Sequence, residues 1–427
     1  MTSENAMASD SREQAPRMRE LLGDLRGRAL GVLAACLVCQ MGLGIGYGFG
    51  PLAPGMLAEL GWSRALLSSA QAPQAWVIAF ASPLVGWLVA RQGARAVLCA
   101  GAIVLGAACA GFAAAQAWWQ LALAWAFVGL GVTGLGDIAV GAVVSQWVTR
   151  SRGLALGIVY TGSNLGGFLA TRGMVAVAGE WSWRIGVASA ALCAFAILLP
   201  AAWLGVRDRR RPGAFEEEGG PAPADDATPG DLDVGAALGT RSFWIVAFTL
   251  LGFWIYLYAV LAHFSLALVD GGMTGVAAGG HLANAVGMGL VSKIAFGWIA
   301  DRLSAKRAVL LDYGLLALSS LLLLAVPGGE GLAVWAFVLV FGFSYAARDV
   351  VTPLILVHCF GSRHLAELYG VLMLTILPGG TLGPILAGWT HDQTGSYALA
   401  FAGLAVWSGL SFALLFAVRD ERRTRTG

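Results

Sequence analysis

The chain has 427 residues, 58% hydrophobic and 12% charged, with a formal net charge of +2 and a mean hydropathy of +0.73. A soluble domain carries about 25% charged residues, so this composition excludes an ordinary soluble globular protein, and so small a net charge leaves no footprint for nucleic acid. Apolar runs of about 20 residues recur from Leu30 to Val418, the pattern of a polytopic, all-α membrane protein.

Residues 1–28 are polar and carry Arg12, Arg17, Arg19, Arg26 and Arg28. The apolar run behind them is too long for a signal-peptide core and has no convincing cleavage site, so it is predicted to be an uncleaved first span. Twelve transmembrane helices are predicted, over 30–52, 65–90, 95–115, 118–147, 153–178, 184–205, 242–268, 276–300, 308–326, 332–359, 364–390 and 397–418. Spans four and ten are long enough to tilt or protrude. Segment 206–240 opens on a basic run, turns acidic at Glu216-Glu217-Glu218 and then becomes rich in Pro, Ala and Asp. Such a composition buries no core and reads as a flexible linker. The predicted organisation is a tail (1–28), a six-helix half (29–205), the linker (206–240), a second six-helix half (241–418) and a short tail (419–427). All six cysteines, at positions 36, 39, 99, 109, 193 and 359, fall in apolar segments. Cys36-x-x-Cys39 lacks a second pair or nearby histidines, so packing is a better account than redox or metal chemistry. No metal and no cofactor is expected.

Loop charges set the orientation. Arg91, Arg95, Arg150, Arg152, Arg207 to Arg211, Arg302 to Arg307, Arg363 and Arg419 to Arg425 all fall on one side of the predicted bundle. The other side holds Glu59, Glu180, Asp270, Glu330 and Asp392, with Arg64 and Arg184 as exceptions. The positive-inside rule then makes both termini and the linker cytoplasmic, in a cell inner (plasma) membrane.

The two halves repeat. Gly86-Trp87-Leu88-Val89-Ala90-Arg91, followed by Ala94-Arg95-Ala96-Val97-Leu98, returns 211 residues later as Gly297-Trp298-Ile299-Ala300-Asp301-Arg302 with Ala305-Lys306-Arg307-Ala308-Val309-Leu310. Leu60-Gly61-Trp62-Ser63 matches Gly271-Gly272-Met273-Thr274. Trp147, Arg152 and Gly157 match Phe360, Arg363 and Gly370, and Gly166-Gly167 matches Gly379-Gly380. Two six-span halves of like orientation joined by a linker are the parallel repeat of a secondary transporter.

On these residues the chain resembles the major facilitator superfamily from about residue 28 to 420. The family's loop signature is G-x-x-x-D-R-x-G-R-R. The first copy, from Gly86 to Arg95, has Ala90 at the acid position, whereas the second keeps Gly297, Asp301 and Arg302. The chain is most similar to the monocarboxylate porter and oxalate–formate exchanger groups, through Leu60-Gly61-Trp62-Ser63-Arg64, Arg152-Gly153-Leu154-Ala155-Leu156-Gly157-Ile158, Gly383-Pro384 and Asp392-Gln393-Thr394-Gly395-Ser396-Tyr397. The resemblance implies the twelve-helix major facilitator fold in two six-helix pseudo-repeats. It also implies that the loop motif latches the halves on the cytoplasmic side, with Asp301 paired to Arg152 and with Arg302, Arg91 and Arg363 in the related positions.

Several buried polar residues are candidates for the transport chemistry. Lys293 stands alone in an apolar run, where charge is rare and usually functional. In monocarboxylate porters an arginine four residues before the loop glycine binds the substrate carboxylate. Lys293 is four before Gly297, so the resemblance makes it the anion-binding cation, with a point charge replacing a bidentate fork. Snorkelling toward the cytoplasm and a structural ion pair are the alternatives. Arg348 and Asp349 occupy the middle of span ten and point about 100° apart. Asp137 holds nearly the same place in the first half. Asp137 and Asp349 are candidate proton-coupling acids, or else members of charge pairs that lock helices together. His263 is a weaker coupling candidate, since histidine titrates near neutral pH. Arg172 is a second candidate substrate cation. Tyr47, in the glycine-rich first span, together with Trp254, Tyr258, Asn164 and Gln74, are candidate lining residues, joined by Gln71, Trp76 and Asn284.

The function read from the sequence is secondary active transport of a small organic anion, a monocarboxylate first, by alternating access with a proton. The partners are that anion, H+ and the bilayer, and the protein is expected to act as a monomer. Export of a hydrophobic drug or metabolite is the alternative within transport, and a non-transporting membrane sensor the alternative outside it. An enzyme is not expected, because the sequence has no HExxH, no histidine box and no nucleophile elbow.

Overall fold

The structure, a computed structural model, describes residues 27–148, 152–209, 231–326, 331–361 and 364–422. Twelve helical spans run through these residues. The first half comprises α1 (Arg28–Leu60), α2 (Arg64–Gln92), α3 (Ala94–Ala114), α4 (Trp118–Trp147), α5 (Arg152–Tyr160 continued by Gly162–Glu180) and α6 (Trp183–Gly205). The second comprises α7 (Arg241–Asp270), α8 (Gly275–Arg302), α9 (Ala305–Leu323), α10 (Leu332–Tyr345 continued by Arg348–Phe360), α11 (Leu365–Met373 continued by Ile376–Thr394) and α12 (Ala398–Leu415). Nine described helices are long and apolar enough to cross a membrane, and α10 is a tenth when its two segments count as one span. The other two are α5, which is interrupted and glycine-rich, and α9, which carries Lys306, Arg307 and Asp312. The first span is longer than expected: its glycine run winds into 3-10 turns at Ile45–Gly48 and Gly50–Leu52, and the helix then continues to Leu60.

Packing divides along the chain. One hydrophobic core draws on residues from Val32 to Val206. The other draws on residues from Leu232 to Val418, with Ala53 of α1 added. Lipid tails are as apolar as leucine, so helices in a membrane associate through close packing rather than hydrophobic burial, and small residues permit it. The repeated glycine pairs mark such crossings. A Cβ on Gly44 of α1 would lie 2.0 Å from the backbone nitrogen of Gly167 on α5, and one on Gly166 would lie 2.1 Å from the Met41 carbonyl. In the second half a Cβ on Gly379 would come 2.4 Å from Cβ of Trp254, and one on Gly383 2.3 Å from the Ile255 carbonyl, where α11 crosses α7.

Both fourth spans are broken near their middle. Helix α4 pauses at Leu135-Gly136 and restarts at Asp137. Helix α10 pauses at Ala346-Ala347, bends by 44° and restarts at Arg348. Each restart therefore carries an acid, Asp137 or Asp349, in its first turn. Unpaired backbone N–H groups at a helix N-terminus carry a partial positive charge and favour an acid there.

The ends of the predicted linker are packed rather than free. Asp208 accepts from the backbone N–H groups of Ala94 (3.1 Å) and Arg95 (3.2 Å), which caps α3. Leu232 N–H donates to the Phe360 carbonyl at 2.9 Å, and a short helix follows at Val234–Leu238. Leu232 and Ala237 belong to the second core. Buried leucine and alanine at these positions overrule the polar average of the segment. Residues 210–230 fall outside the described residues.

The α1–α5 crossing yields a stability test. Gly44→Val is expected to cost about 3 kcal/mol or more, at the upper end of overpacking penalties. Gly31→Val, where a Cβ meets nothing within 4 Å, is expected to be neutral. Thermal unfolding of the purified variants in detergent checks this, and equal midpoints would contradict it.

Candidate functional site

The buried charges converge where α8 and α10 meet α5. Lys293 Nζ lies 3.1 Å from Asp349 Oδ2. It also donates to the Tyr160 carbonyl and to Ser163 Oγ, both at 3.4 Å, across the boundary between the halves. An ammonium held by these groups does not snorkel to a membrane surface. Placing a lone lysine at mid-membrane costs roughly 2.5–3.5 kcal/mol on insertion scales, and the carboxylate and two oxygen acceptors offset that cost. Arg348 bonds the other oxygen of Asp349. Its guanidinium carbon stands 4.5 Å from the ring centre of Trp254 and 5.2 Å from that of Phe253. The two cations are nearly enclosed, with 13% and 12% of their side chains accessible, whereas Asp349 is 42% accessible. Asp349 is therefore the member of the trio that faces open space.

Asp137 occupies the related place on α4. It accepts from the Gln40 side chain of α1, and its backbone carbonyl accepts from Tyr160 Oη at 3.2 Å. It too is exposed, and it stands within electrostatic reach of Asp349, Lys293 and Arg348. The site thus unites an acid from each half with two cations from the second half.

The remaining candidates fall into two groups. Tyr47 reaches the centre and meets Tyr345 edge to face at 6.4 Å. Asn164, 2% exposed, donates to Tyr345 Oη (2.6 Å) and to the Val286 carbonyl (3.2 Å), which staples α5 to α8 and α10. Trp254, Tyr258 and Gln74 are buried around the centre rather than open to it. Arg172 stands apart. The rise of 1.5 Å per residue sets it about 13 Å further along α5 than Ser163, where it donates to Asn284 Oδ1 at 2.7 Å. His263 also lies elsewhere. Its Nδ1 is 3.0 Å from Tyr397 Oη, and its Nε2 is 2.8 Å from the Pro384 carbonyl and 3.1 Å from Ser68 Oγ.

His263 belongs to an inter-half closure at the end of the bundle remote from the basic loops. Both nitrogens of the Arg64 fork donate to Asp270, each at 2.7 Å, and Nη1 also donates to Tyr397 Oη at 2.6 Å. The Asp392 carboxylate on α11 accepts from the backbone N–H groups of Arg64 (3.1 Å) and Ala65 (2.9 Å), so an acid of one half caps a helix of the other. Gly388 makes this approach possible: a Cβ there would lie 2.8 Å from the Ala65 nitrogen. His391 adds a 3.2 Å contact to Asp270. On the neighbouring α1–α7 contact, a Cβ on Gly50 would lie 1.9 Å from the Leu261 carbonyl. Arg184, the second basic residue of this side, pairs with Glu59 at 2.8 Å within its own half. The basic-end segments Asp137–Trp147, Arg152–Tyr160, Arg348–Phe360 and Leu365–Met373 pack chiefly within their own halves.

Of the expected cytoplasmic latch, Arg91 lies over the Trp87 ring at 4.5 Å and Arg302 over the Trp298 ring at 3.7 Å. The side chains of Arg152 and Asp301 fall outside the described residues, as does Arg363 altogether. Gln40, Tyr160 and Ser163 join the site through their contacts to Asp137 and Lys293, and as uncharged residues outside any motif they carry no signal in the sequence.

The chain matches the family model described as Major Facilitator Superfamily over residues 29–354. It is 27% identical over 374 residues to monocarboxylate transporter 11 of Mus musculus, covering 80% of this chain and 79% of that protein. The Homo sapiens monocarboxylate transporter 11 is likewise 27% identical, over 373 residues, 78% of this chain and 73% of that one. The MFS transporter asaE of Aspergillus flavus is 26% identical over 285 residues, 64% of this chain and 59% of that one. In structure the chain is similar to a bacterial homolog of the human lysosomal transporter Spinster in an inward-facing, occupied conformation, with a TM-score of 0.70 at 16% identity over 92% of this chain and 96% of that one. That likeness concerns the fold alone.

The far-end closure is testable without a substrate. Spin labels at Trp181→Cys and Leu399→Cys, both exposed at that end, are placed in a background lacking the native cysteines. Pulsed electron resonance is expected to find one short distance. Asp392→Asn and Arg64→Gln are each expected to add a longer-distance population, and an unchanged distribution would contradict the assignment.

Proposed function

The chain belongs to the major facilitator superfamily, and from that premise we propose that it is a secondary active transporter of a small organic anion, a monocarboxylate first, moved by alternating access together with a proton. The observation that carries this reading is the Lys293–Asp349 pair, 3.1 Å apart with the carboxylate open to the space between the halves. The names of the relatives, monocarboxylate transporters 11 to 14, support the substrate class.

The pair provides a coupling rule. A substrate carboxylate and Asp349 present the same chemical group to Lys293, so they compete for it. Two charges about 4 Å apart at an effective dielectric constant near 20 interact by about 4 kcal/mol. An anion therefore gains little by joining a lysine that already holds an acid. A proton from the cavity water turns Asp349 into a neutral carboxyl, which frees Lys293 and cancels the charge the anion brings. Monoanion and proton then cross together without net charge, avoiding about 2.3 kcal/mol per 100 mV of membrane potential. Asp137 faces the same space from the first half and is the second acid on which the proton can rest.

Alternating access requires the far-end closure to open when the basic end shuts. With the basic end cytoplasmic, the present state is closed to the outside, and the space that Asp349 faces would be reached from the cytoplasm. The location that follows is a cell inner membrane, with both termini cytoplasmic, and the unit of function is the monomer.

Uptake of labelled pyruvate, lactate and acetate into proteoliposomes tests the proposal. An inward acid gradient is expected to stimulate uptake of at least one of them. Lys293→Ala is expected to lower that uptake at least tenfold, the equivalent of about 1.4 kcal/mol. Asp349→Asn is expected to abolish the response to the gradient while leaving counterflow of preloaded anion. Full uptake by Lys293→Ala, or an intact pH response in Asp349→Asn, would overturn the reading.

A further inference from the structure

The far-end closure divides its hydrogen bonds unevenly between the halves. Among the described residues, every side-chain hydrogen bond of Arg64 crosses to the second half. Nη1 and Nη2 donate to the Asp270 carboxylate, each at 2.7 Å, and Nη1 also donates to Tyr397 Oη at 2.6 Å. Ser68 behaves alike, with its Oγ 3.1 Å from His263 Nε2. Arg64 and Ser68 are four residues apart on α2, so they share one helix face. Their partners keep other contacts within the second half. Asp270 keeps His391 at 3.2 Å, and His263 keeps the Pro384 carbonyl at 2.8 Å and Tyr397 Oη at 3.0 Å. When the halves part, the second half retains these bonds, and the first is left with a guanidinium and a hydroxyl one turn apart.

A cavity of about 40 Å³ lies beside them on the boundary between the halves. Its polar lining is Arg64, Ser68 and Gln71, all of α2, whereas α7 contributes Ala262 and Leu266 and the rest of the wall is apolar. In this closed state the space suits water rather than an organic acid. Both halves wall it, so their separation enlarges it. One cation and two neutral polar groups among apolar walls suit a small organic acid. A guanidinium fork matches a carboxylate through two parallel bonds, and Asp270 already occupies the fork in that way.

We propose that Arg64, with Ser68 and Gln71 beside it, is the outer docking site for the carboxylate of the transported anion, and that Asp270 is the occupant placed there when the protein closes to the outside. The inference rests on the reading of the chain as a monocarboxylate transporter. Substrate and Asp270 present the same group to one fork, so each excludes the other. An anion that binds only the parted halves draws the population toward that state by mass action. Arg64 is thus a latch when Asp270 holds it and a binding residue when the anion does.

Two substitutions separate a latch from a binding site. Arg64→Gln and Asp270→Asn break the same ion pair, so a latch alone predicts one outcome for both, whereas a site predicts that they diverge. The spin-label pair Trp181→Cys and Leu399→Cys is read in a Lys293→Ala background, which removes the central cation, while acetate or pyruvate replaces chloride at constant ionic strength. At least one of these anions is expected to raise the longer-distance population. The Asp392 contacts to the α2 backbone remain available in every variant, so a closed population persists. Adding Asp270→Asn is expected to lower the half-effective anion concentration about tenfold, because the internal competitor is gone. Adding Arg64→Gln is expected to abolish the response, and Arg64→Lys, which keeps the charge without the fork, to raise the half-effective concentration about tenfold. No anion response in the Lys293→Ala background, a response that survives in Arg64→Gln, or equal responses in Arg64→Gln and Asp270→Asn overturns the site. Any of these beside uptake that depends on Lys293 leaves the transport reading in place. Absence of pyruvate, lactate and acetate uptake by the wild type overturns that reading and this inference with it.

Discussion

A charged side chain in hydrocarbon must find its partner inside the protein, because the bilayer core offers no water to pay for it. In this chain the requirement is met by one carboxylate, Asp349, which holds both Lys293 and Arg348. Much of the local structure follows. The break at Ala346-Ala347 ends one helix and starts another at the depth where the acid is needed. The restart brings the positive end of a helix to that acid. The aromatic rings of Phe253 and Trp254 lie against the guanidinium, where a cation–π contact substitutes for water. Because the acid is accessible and its cations are not, the trio is stable as it stands and still open to competition from an incoming carboxylate.

The helix break that sets an acid at a restart is built twice. Helix α4 breaks at Leu135-Gly136 and restarts on Asp137, as α10 restarts on Arg348-Asp349. Glycine pairs bring α5 against α1 and α11 against α7 at distances no other residue allows. Rigid halves of this kind suit rocking motion, since a close-packed interface is bistable rather than continuously deformable. The far-end closure illustrates the point. Asp392 caps the start of α2 through two backbone N–H groups while Arg64 grips Asp270. These contacts are discrete and geometrically demanding, so they are made or lost together.

The architecture was legible in the sequence because spans and repeats are written in composition and in spacing. Lys293 and the paired acids were legible for a related reason: charge in an apolar run has few explanations. Three things were not. The breaks in α4 and α10 leave no proline at the pause, and Gly136 alone is a weak signal among so many glycines. The far-end gate joins Arg64, Asp270, Asp392 and Tyr397, residues far apart in the chain whose meeting depends on the fold of both halves. Arg64 was visible as an exception to the loop-charge rule, without a reason until its partner Asp270 was seen. Asn164 and Arg172 look alike as polar residues on α5, and only the structure separates an inter-helix staple at the centre from a contact about 13 Å along the helix. The linker reading erred at its edges, where Leu232 and Ala237 are anchored in the second core.

The central claim is that the substrate carboxylate and Asp349 exchange places on Lys293, with a proton completing the exchange. Calorimetric titration of the purified protein with a transported monocarboxylate, in buffers of differing ionisation enthalpy at one pH, measures this directly. The account predicts uptake of about one proton per anion bound in the wild type and none in Asp349→Asn. Anion binding of undiminished affinity with no proton uptake by the wild type would contradict it.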